Sequence, residues 1–296
     1  MIYPSLPAPL DLGFVRVNGA GFGNCLFPYF HALVHAEHEG RRLIAPCWRS
    51  LAVNPKLRGD GSFRRYERMV RPHPDEVDGL AKAAALGSLR PFAQVQNVAP
   101  GQPLRASPRP LVVVRSSAFT FEGLAPHRMF LRDRLLQIMR RPPAHAPRWG
   151  AARFAAVHVR LGDFEPPNGA AIEAAVSNIR LPLDWYVRLV ERLRHFHPEL
   201  PVRVFSDGGD SELAPLLAIT GTERARSVDD VNELVEMAEA AVLIGSNSTF
   251  SRWAAFLGNM STIWRARQLP GERVTDGTVR LQHVGDDSGT LEDPLA

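Results

Sequence analysis

Two amino acids are scarce in this chain, and each scarcity narrows what it can be. Only Cys25 and Cys47 are cysteines among 296 residues. That is too few for a disulfide framework, so a reduced, cytoplasmic protein is expected. Only Lys56 and Lys82 are lysines among 35 basic residues; the other 33 are arginine. A net charge of +4 raises the question of nucleic acid. The arginines are scattered, however, with no basic stripe and no interleaved aromatics on which single strands could stack. Nucleic-acid binding is therefore not expected. No apolar run approaches the about 20 residues of a membrane span. The opening MIYPSLPAPLDLGF has neither a basic region nor an apolar core, so no secretory signal is read there.

What remains is ordinary globular composition, 45% hydrophobic and 22% charged, enough for one large or two medium domains. The Pro- and Ala-rich stretch 141–147 (RPPAHAP) reads as a linker, predicting domains 1–145 and 146–296. Beyond it the pattern is regular. Strands are expected at 154–160, 202–206, 241–245 and 261–264. Helices are expected at 183–197, through Leu217, after a cap at Asp229 and Asp230, and at 252–257. Such alternation predicts a doubly wound parallel sheet. In the first half, a strand at 13–17 leads into a glycine-rich loop, 18–24. A helix then runs to Gly40, with Pro28 in its first turn. A helix within 75–89, a strand at 111–115 and a helix at 127–140 follow; most of 50–110 is expected to be irregular.

The chain is organised around 154–163, FAAVHVRLGD. An apolar run of this kind suits a strand buried on both faces. It ends in His158, Arg160 and Asp163, and ligands of open α/β sheets bind beyond the carboxyl ends of strands. Two readings stand. Arg160 meets an anion, for which its planar fork of donors is suited, or it pairs internally with Asp163. Two more strands end in polar clusters, Ser206/Asp207 and 246–251, and this convergence favours a ligand. The glycine loop offers backbone approach and a helix N-terminus to phosphate. Its spacing departs from G-x-G-x-x-G, so a dinucleotide oxidoreductase is not expected. His31, His35 and His38 share one side of a helix but lack the companions of a metal site. Three solvated histidines are expected there, and no metal.

In order, GFGNCLFPYF (21–30), VHVRLGD (157–163), VFSD (204–207) and IGSNSTFSRWAAFLG (244–258) resemble the α-1,2-fucosyltransferases and the wider GDP-fucose transferase superfamily. The resemblance covers 13–40 and 154–264, about half the chain. It implies a GT-B-like α/β architecture, two Rossmann-like parallel-sheet halves facing a cleft, the first on the acceptor side with an irregular insert, the second binding the nucleotide sugar. It further implies inverting, metal-independent transfer of fucose from GDP-fucose, with no cofactor. Arg160 would bind the pyrophosphate and stabilise departing GDP; Asp163 would act as base or hold Arg160. Gly23, Asn24, His158, Ser206, Asp207, Glu233, Asn247, Ser248, Thr249 and Phe250 would line the donor site, with Glu233 or Asp207 on guanine or ribose. The chain departs from the family pattern at Cys25, where relatives have Gln, at Arg252, which replaces an aromatic, and in its longer FSDGGD. The expected acceptor is an oligosaccharide or lipid-linked glycan of bacterial surface polysaccharide biosynthesis. A lipid-linked one would bring the enzyme to the inner-membrane surface. The alternatives are transfer from another GDP-hexose, or a catalytically silent nucleotide- or carbohydrate-binding protein.

Overall fold

The computed structural model describes residues 1–51, 65–116, 118–162, 164–166, 169, 178–265 and 293–295, and the backbone of 281–285. The chain divides into two compact units, Met1–Pro142 and Pro143–Ala296. Both are built on parallel α/β sheets, as expected. No helix among the described residues is long and apolar enough to cross a membrane.

The first unit contains β1 (Ile2–Pro4), β2 (Leu10–Asp11), β3 (Arg16–Val17), α1 (Phe22–His38), β4 (Ser50–Leu51), α2 (Gly79–Leu89), β5 (Gln94–Val98), β6 (Val112–Ser116) and α3 (Arg128–Ile138). Its main sheet has the order β1-β6-β5, all parallel. Parallel bridges Ile2↔Leu43 and Ile44↔Val77 widen it. The strand that feeds α1 from this sheet is β1, not the expected 13–17. Three residues ending in Pro4 give no periodicity to read, yet all three are buried. Of 13–17, only Arg16–Val17 is strand, in a separate small sheet β2-β3-β4.

Helix α1 starts earlier than expected, at Phe22. Gly23 and Asn24 therefore lie in its first turn, and Pro28 is inside it. Proline there has no N–H for the carbonyl four residues back. Burial offsets this cost, because nearly every residue from Phe22 to Ala36 is in the core. His31 and His35 are buried too, which corrects the expectation of three solvated histidines; only His38 is exposed. His31 Nε2 lies 2.9 Å from the Thr120 carbonyl, and burial lowers its pKa to about 4. Tyr29 donates to Glu76 Oε1 at 2.7 Å, and Arg134 Nη1 lies 3.6 Å from the same oxygen. These partners make a buried carboxylate tolerable.

The second unit contains β7 (Ala152–Val159), α4 (Leu183–Phe196), β8 (Val202–Ser206), α5 (Asp210–Leu217), β9 (Thr222–Arg224), α6 (Asp230–Glu239), β10 (Ala240–Ile244), α7 (Thr249–Gly258), β11 (Ser261–Arg265) and β12 (Leu281–Gly285). The sheet order is β12-β11-β10-β7-β8-β9, and every neighbouring pair is parallel. Counted from β7, that order is 6-5-4-1-2-3, the doubly wound arrangement of dinucleotide-binding folds. Residues 154–159 of β7 are all buried. Helix α4 sets Trp185, Tyr186, Leu189, Val190 and Leu193 against Val157, Val159 and Val204, at spacings that place them on one face. Strands β9 and β12 were not expected. Both lie at the edges of the sheet order.

Helix α1 closes with the Arg41 N–H on the Ala36 carbonyl (2.9 Å) and the Gly40 N–H on that of Glu37 (3.3 Å), a Schellman motif. Gly40 has φ +58° and no neighbour within 4 Å of where a Cβ would stand. The cost of a side chain there is thus backbone alone. Gly40→Ala should destabilise the fold by about 1 kcal/mol, and Gly40→Asn by less, read as the shift in urea midpoint at unchanged m-value.

Candidate functional site

The reversal in strand order falls between β7 and β10, and the polar clusters lie at the carboxyl ends of these two strands and of β8. His158, the penultimate residue of β7, is buried. Its Nδ1 is 2.5 Å from Ser251 Oγ and 3.1 Å from Ser246 Oγ. Ser251 Oγ also accepts from the Ser246 N–H at 3.1 Å, so the two hydroxyls and the imidazole nitrogen form one buried cluster. Burial, followed by the charge of Arg160, lowers the His158 pKa to about 4, so the ring is neutral at physiological pH. The Phe250 ring centroid is 5.7 Å from that of His158.

Just past β7, Arg160 Nη1 lies 2.8 Å from Asp207 Oδ2. Asp207 Oδ1 accepts from the Leu161 N–H at 2.8 Å, and Oδ2 from the Gly162 N–H at 3.0 Å. Asp207, expected to face guanine or ribose, therefore spends its carboxylate on the turn that carries Arg160. A Cβ on Gly162 would collide with that carboxylate, which explains the glycine. Asp163 lies outside the described residues. Among the described residues, the Asp207 carboxylate faces Arg160 at 2.8 Å.

The loop after β8 is held by a residue not foreseen. Arg224, ending β9, donates to the Ser206 carbonyl (3.0 Å) and the Gly208 carbonyl (2.7 Å) and pairs with Asp210 Oδ1 at 2.5 Å. Ser206 Oγ accepts from the Gly208 N–H at 3.0 Å. Ser248 is the N-cap of α7, its hydroxyl accepting from the Phe250 N–H at 3.2 Å. Asn247 precedes that cap, and Thr249 and Phe250 open the helix, so the positive end of α7 lies at the switch point. Asp229 caps α6 through the Val231 and Asn232 amides, as its sequence position predicted. On α6, Glu233 is half-buried. Burial and the nearby Asp230, Asp207 and Glu236 raise its pKa to about 7.

The second unit thus brings His158, Arg160, Ser206, Asp207, Glu233 and 247–250 to one edge of its sheet. Gly23 and Asn24 belong to the first unit, in the first turn of α1. Among the described residues no cluster of three His, Cys, Asp or Glu side chains suits a metal ion. Roles for Ser246 and Ser251 were missed although both lie in the polar run 246–251; the signal was there, but a histidine partner about 90 residues away in sequence was not.

No family model matches the chain, and no curated protein matches it. Solved structures do. A NodZ α-1,6-fucosyltransferase soaked with GDP-fucose is 13% identical, over 92% of this chain and 96% of that one, at TM-score 0.43. POFUT1 in complex with GDP-fucose is 11% identical, over 93% and 98%, at TM-score 0.41. Fucosyltransferase NodZ from Bradyrhizobium is 14% identical, over 86% and 92%, at TM-score 0.39. The fold assignment rests on the sheet order and register given above.

The neutral His158 predicts a pH effect. Between pH 6.5 and about 4 the unfolded chain binds a proton at this position that the folded chain does not. Stability should fall as pH drops through that window, by at most about 3 kcal/mol from this group. Urea unfolding at pH 7 and pH 4.5 should show a smaller loss for His158→Gln than for wild type. Equal losses would mean that His158 is not held neutral.

Proposed function

We propose that the chain is an inverting, metal-independent glycosyltransferase. It moves fucose from GDP-fucose to a hydroxyl of an oligosaccharide or lipid-linked glycan, with α-1,2 linkage as the motif resemblance implies. The observation that carries this reading is the position of His158, Arg160 and Gly162, and of the N-S-T-F-S run 247–251, at the two strand ends that flank the switch point of a doubly wound sheet. That is where such folds bind nucleotides.

In this reading Arg160 binds the diphosphate. As the glycosidic bond breaks, negative charge grows on the departing GDP, and a guanidinium already fixed in place stabilises it without reorganisation. The opening turn of α7, from Ser248 through Thr249 and Phe250, supplies amides and dipole to a phosphate; Asn247 and Ser206 flank it. Neutral His158 holds Ser251 and Ser246 at the strand end beneath the bound nucleotide. Glu233 accepts from the guanine N1–H and amino group. Asp207 acts by fixing Arg160. Gly23 and Asn24 enter through the resemblance alone, and so does Asp163 as the base that takes the acceptor proton.

Calorimetric titration with GDP, GDP-fucose, GDP-mannose, UDP-sugars and NAD, with and without EDTA, tests the donor. Saturable, chelator-insensitive binding of GDP and GDP-fucose is expected. Binding of GDP-mannose alone would move the reading to another hexose, and binding of UDP-sugars or NAD alone, or of no nucleotide, would overturn it. Arg160→Ala should lower turnover by about 10²–10³-fold; a silent binding protein has no turnover to lose.

The position of Glu233 adds a second test. Its carboxylate is ionised above pH 7 and protonated below, and only the ionised form accepts both guanine donors. GDP affinity should fall as pH is lowered from 8 to 6, by up to about tenfold per unit below 7. Glu233→Gln should flatten that profile. A profile unchanged by the substitution would remove Glu233 from guanine recognition.

A further inference from the structure

We propose that Arg180 is a positioning residue that fixes the turn carrying Arg160, an inference that rests on the reading of Arg160 as the diphosphate ligand. Its guanidinium serves three acceptors on two elements. Nε donates to the Phe164 carbonyl at 2.9 Å, Nη2 reaches the Gly162 carbonyl at 3.5 Å, and Nη1 lies 3.6 Å from Glu212 Oε1 on α5. Glu212 is itself anchored, because Oε2 accepts from the Gly209 N–H at 2.9 Å. Arg180 is tied to the same loop through its backbone. Its N–H donates to the Glu165 carbonyl at 2.9 Å, and the Glu165 N–H to that of Asn178, also at 2.9 Å.

Gly162 is consequently held from both sides. Its N–H belongs to Asp207 and its carbonyl to Arg180. Phe164, the other carbonyl Arg180 holds, places its ring 5.7 Å from the Arg160 guanidinium, within cation–π range. Asp207 and Arg180 therefore grip the turn from the β8 side and from the far end of the loop. A planar fork that spans two carbonyls and a carboxylate is a task lysine cannot reproduce. With about a quarter of its surface exposed, Arg180 is not needed to fill the core, so its arrangement is explained by the turn it holds.

A residue of this kind acts on the transition state more than on ground-state binding. Arg180→Gln should lower kcat about 10–100-fold while the GDP dissociation constant changes less than about threefold. Arg180→Lys should recover only part of the loss. Glu212→Gln should act in the same direction, and the double variant should be no worse than Arg180→Gln, as expected for residues sharing one interaction. Wild-type GDP binding and turnover, measured alongside, test the underlying reading separately; their absence would overturn it and this inference with it. With wild type active, an unchanged kcat in Arg180→Gln, a loss shared equally by kcat and GDP affinity, or additive effects in the double variant would overturn the positioning role alone. Melting curves identify any variant that fails to fold. In that event Arg180→Lys and Glu212→Gln decide, and wild-type kcat in both would overturn the proposal.

Discussion

The carboxylate of Asp207 is the constraint on which the site depends. Three donors converge on it: the Arg160 guanidinium and the Leu161 and Gly162 amides. These amides belong to a turn leaving the sheet, where no ladder partner exists; Leu161 is buried, and its amide left unmet would cost about 1–3 kcal/mol. One short side chain answers all three, because the register pairs Val159 with Ser206 and so brings the residue after β8 beside the turn after β7. Without a Cβ at Gly162 the carboxylate can come that close. The same contact orients the one guanidinium that the functional reading places on the diphosphate. Fold and site are thus joined at a single carboxylate.

The glycine loop of the first unit divides into separate tasks once packing is examined. Arg16 is fully buried on β3, with Nη1 at 3.4 Å from both the Pro7 carbonyl and Cys25 Sγ. Its guanidinium fills the space a Cβ on Gly19 would need, so Gly19 answers to internal packing. Gly23 is helical. Gly21, the N-cap of α1, has nothing within 4 Å of its missing Cβ. Gly21 therefore has room beside its backbone that Gly19 lacks.

How much was legible in the sequence follows from what each residue's fate depended on. The strand at 202–206 appeared with the expected bounds, and the buried run of β7 and the Asp229 cap were likewise readable. Those depend on local apolar runs and one side chain. Strand β1 was hidden because three residues carry no period, and the start of α1 because glycines read as loop. A helical glycine costs only about 1 kcal/mol, which the buried face of α1 outweighs. His31 and His35 seemed solvated on polarity alone; the partner of His31 is a carbonyl 89 residues away. In the site, residue types at strand ends were readable and their pairings were not. Asp207 is 46 residues from Leu161, and only the strand register brings them together.

The switch-point edge is also electrostatically balanced in a way composition conceals. Arg160 faces Asp207, Arg180 faces Glu212 and Arg224 faces Asp210. An arginine-rich sequence suggests a diffuse positive field suited to polyanions, whereas these three arginines each face a carboxylate. Local pairing costs field strength but fixes orientation, and catalysis by charge stabilisation depends on donors already in place when charge develops. The backbone contacts of Arg180 and Arg224 carry the same logic one step further. Arg180 holds carbonyls of the turn that carries Arg160, and Arg224 those of the loop after β8, so that both loops are anchored by the protein's own side chains. Under the proposed function, a small anion would be recognised by geometry at one guanidinium and one helix terminus, a task that a basic chain without a basic stripe suits better than nucleic-acid binding.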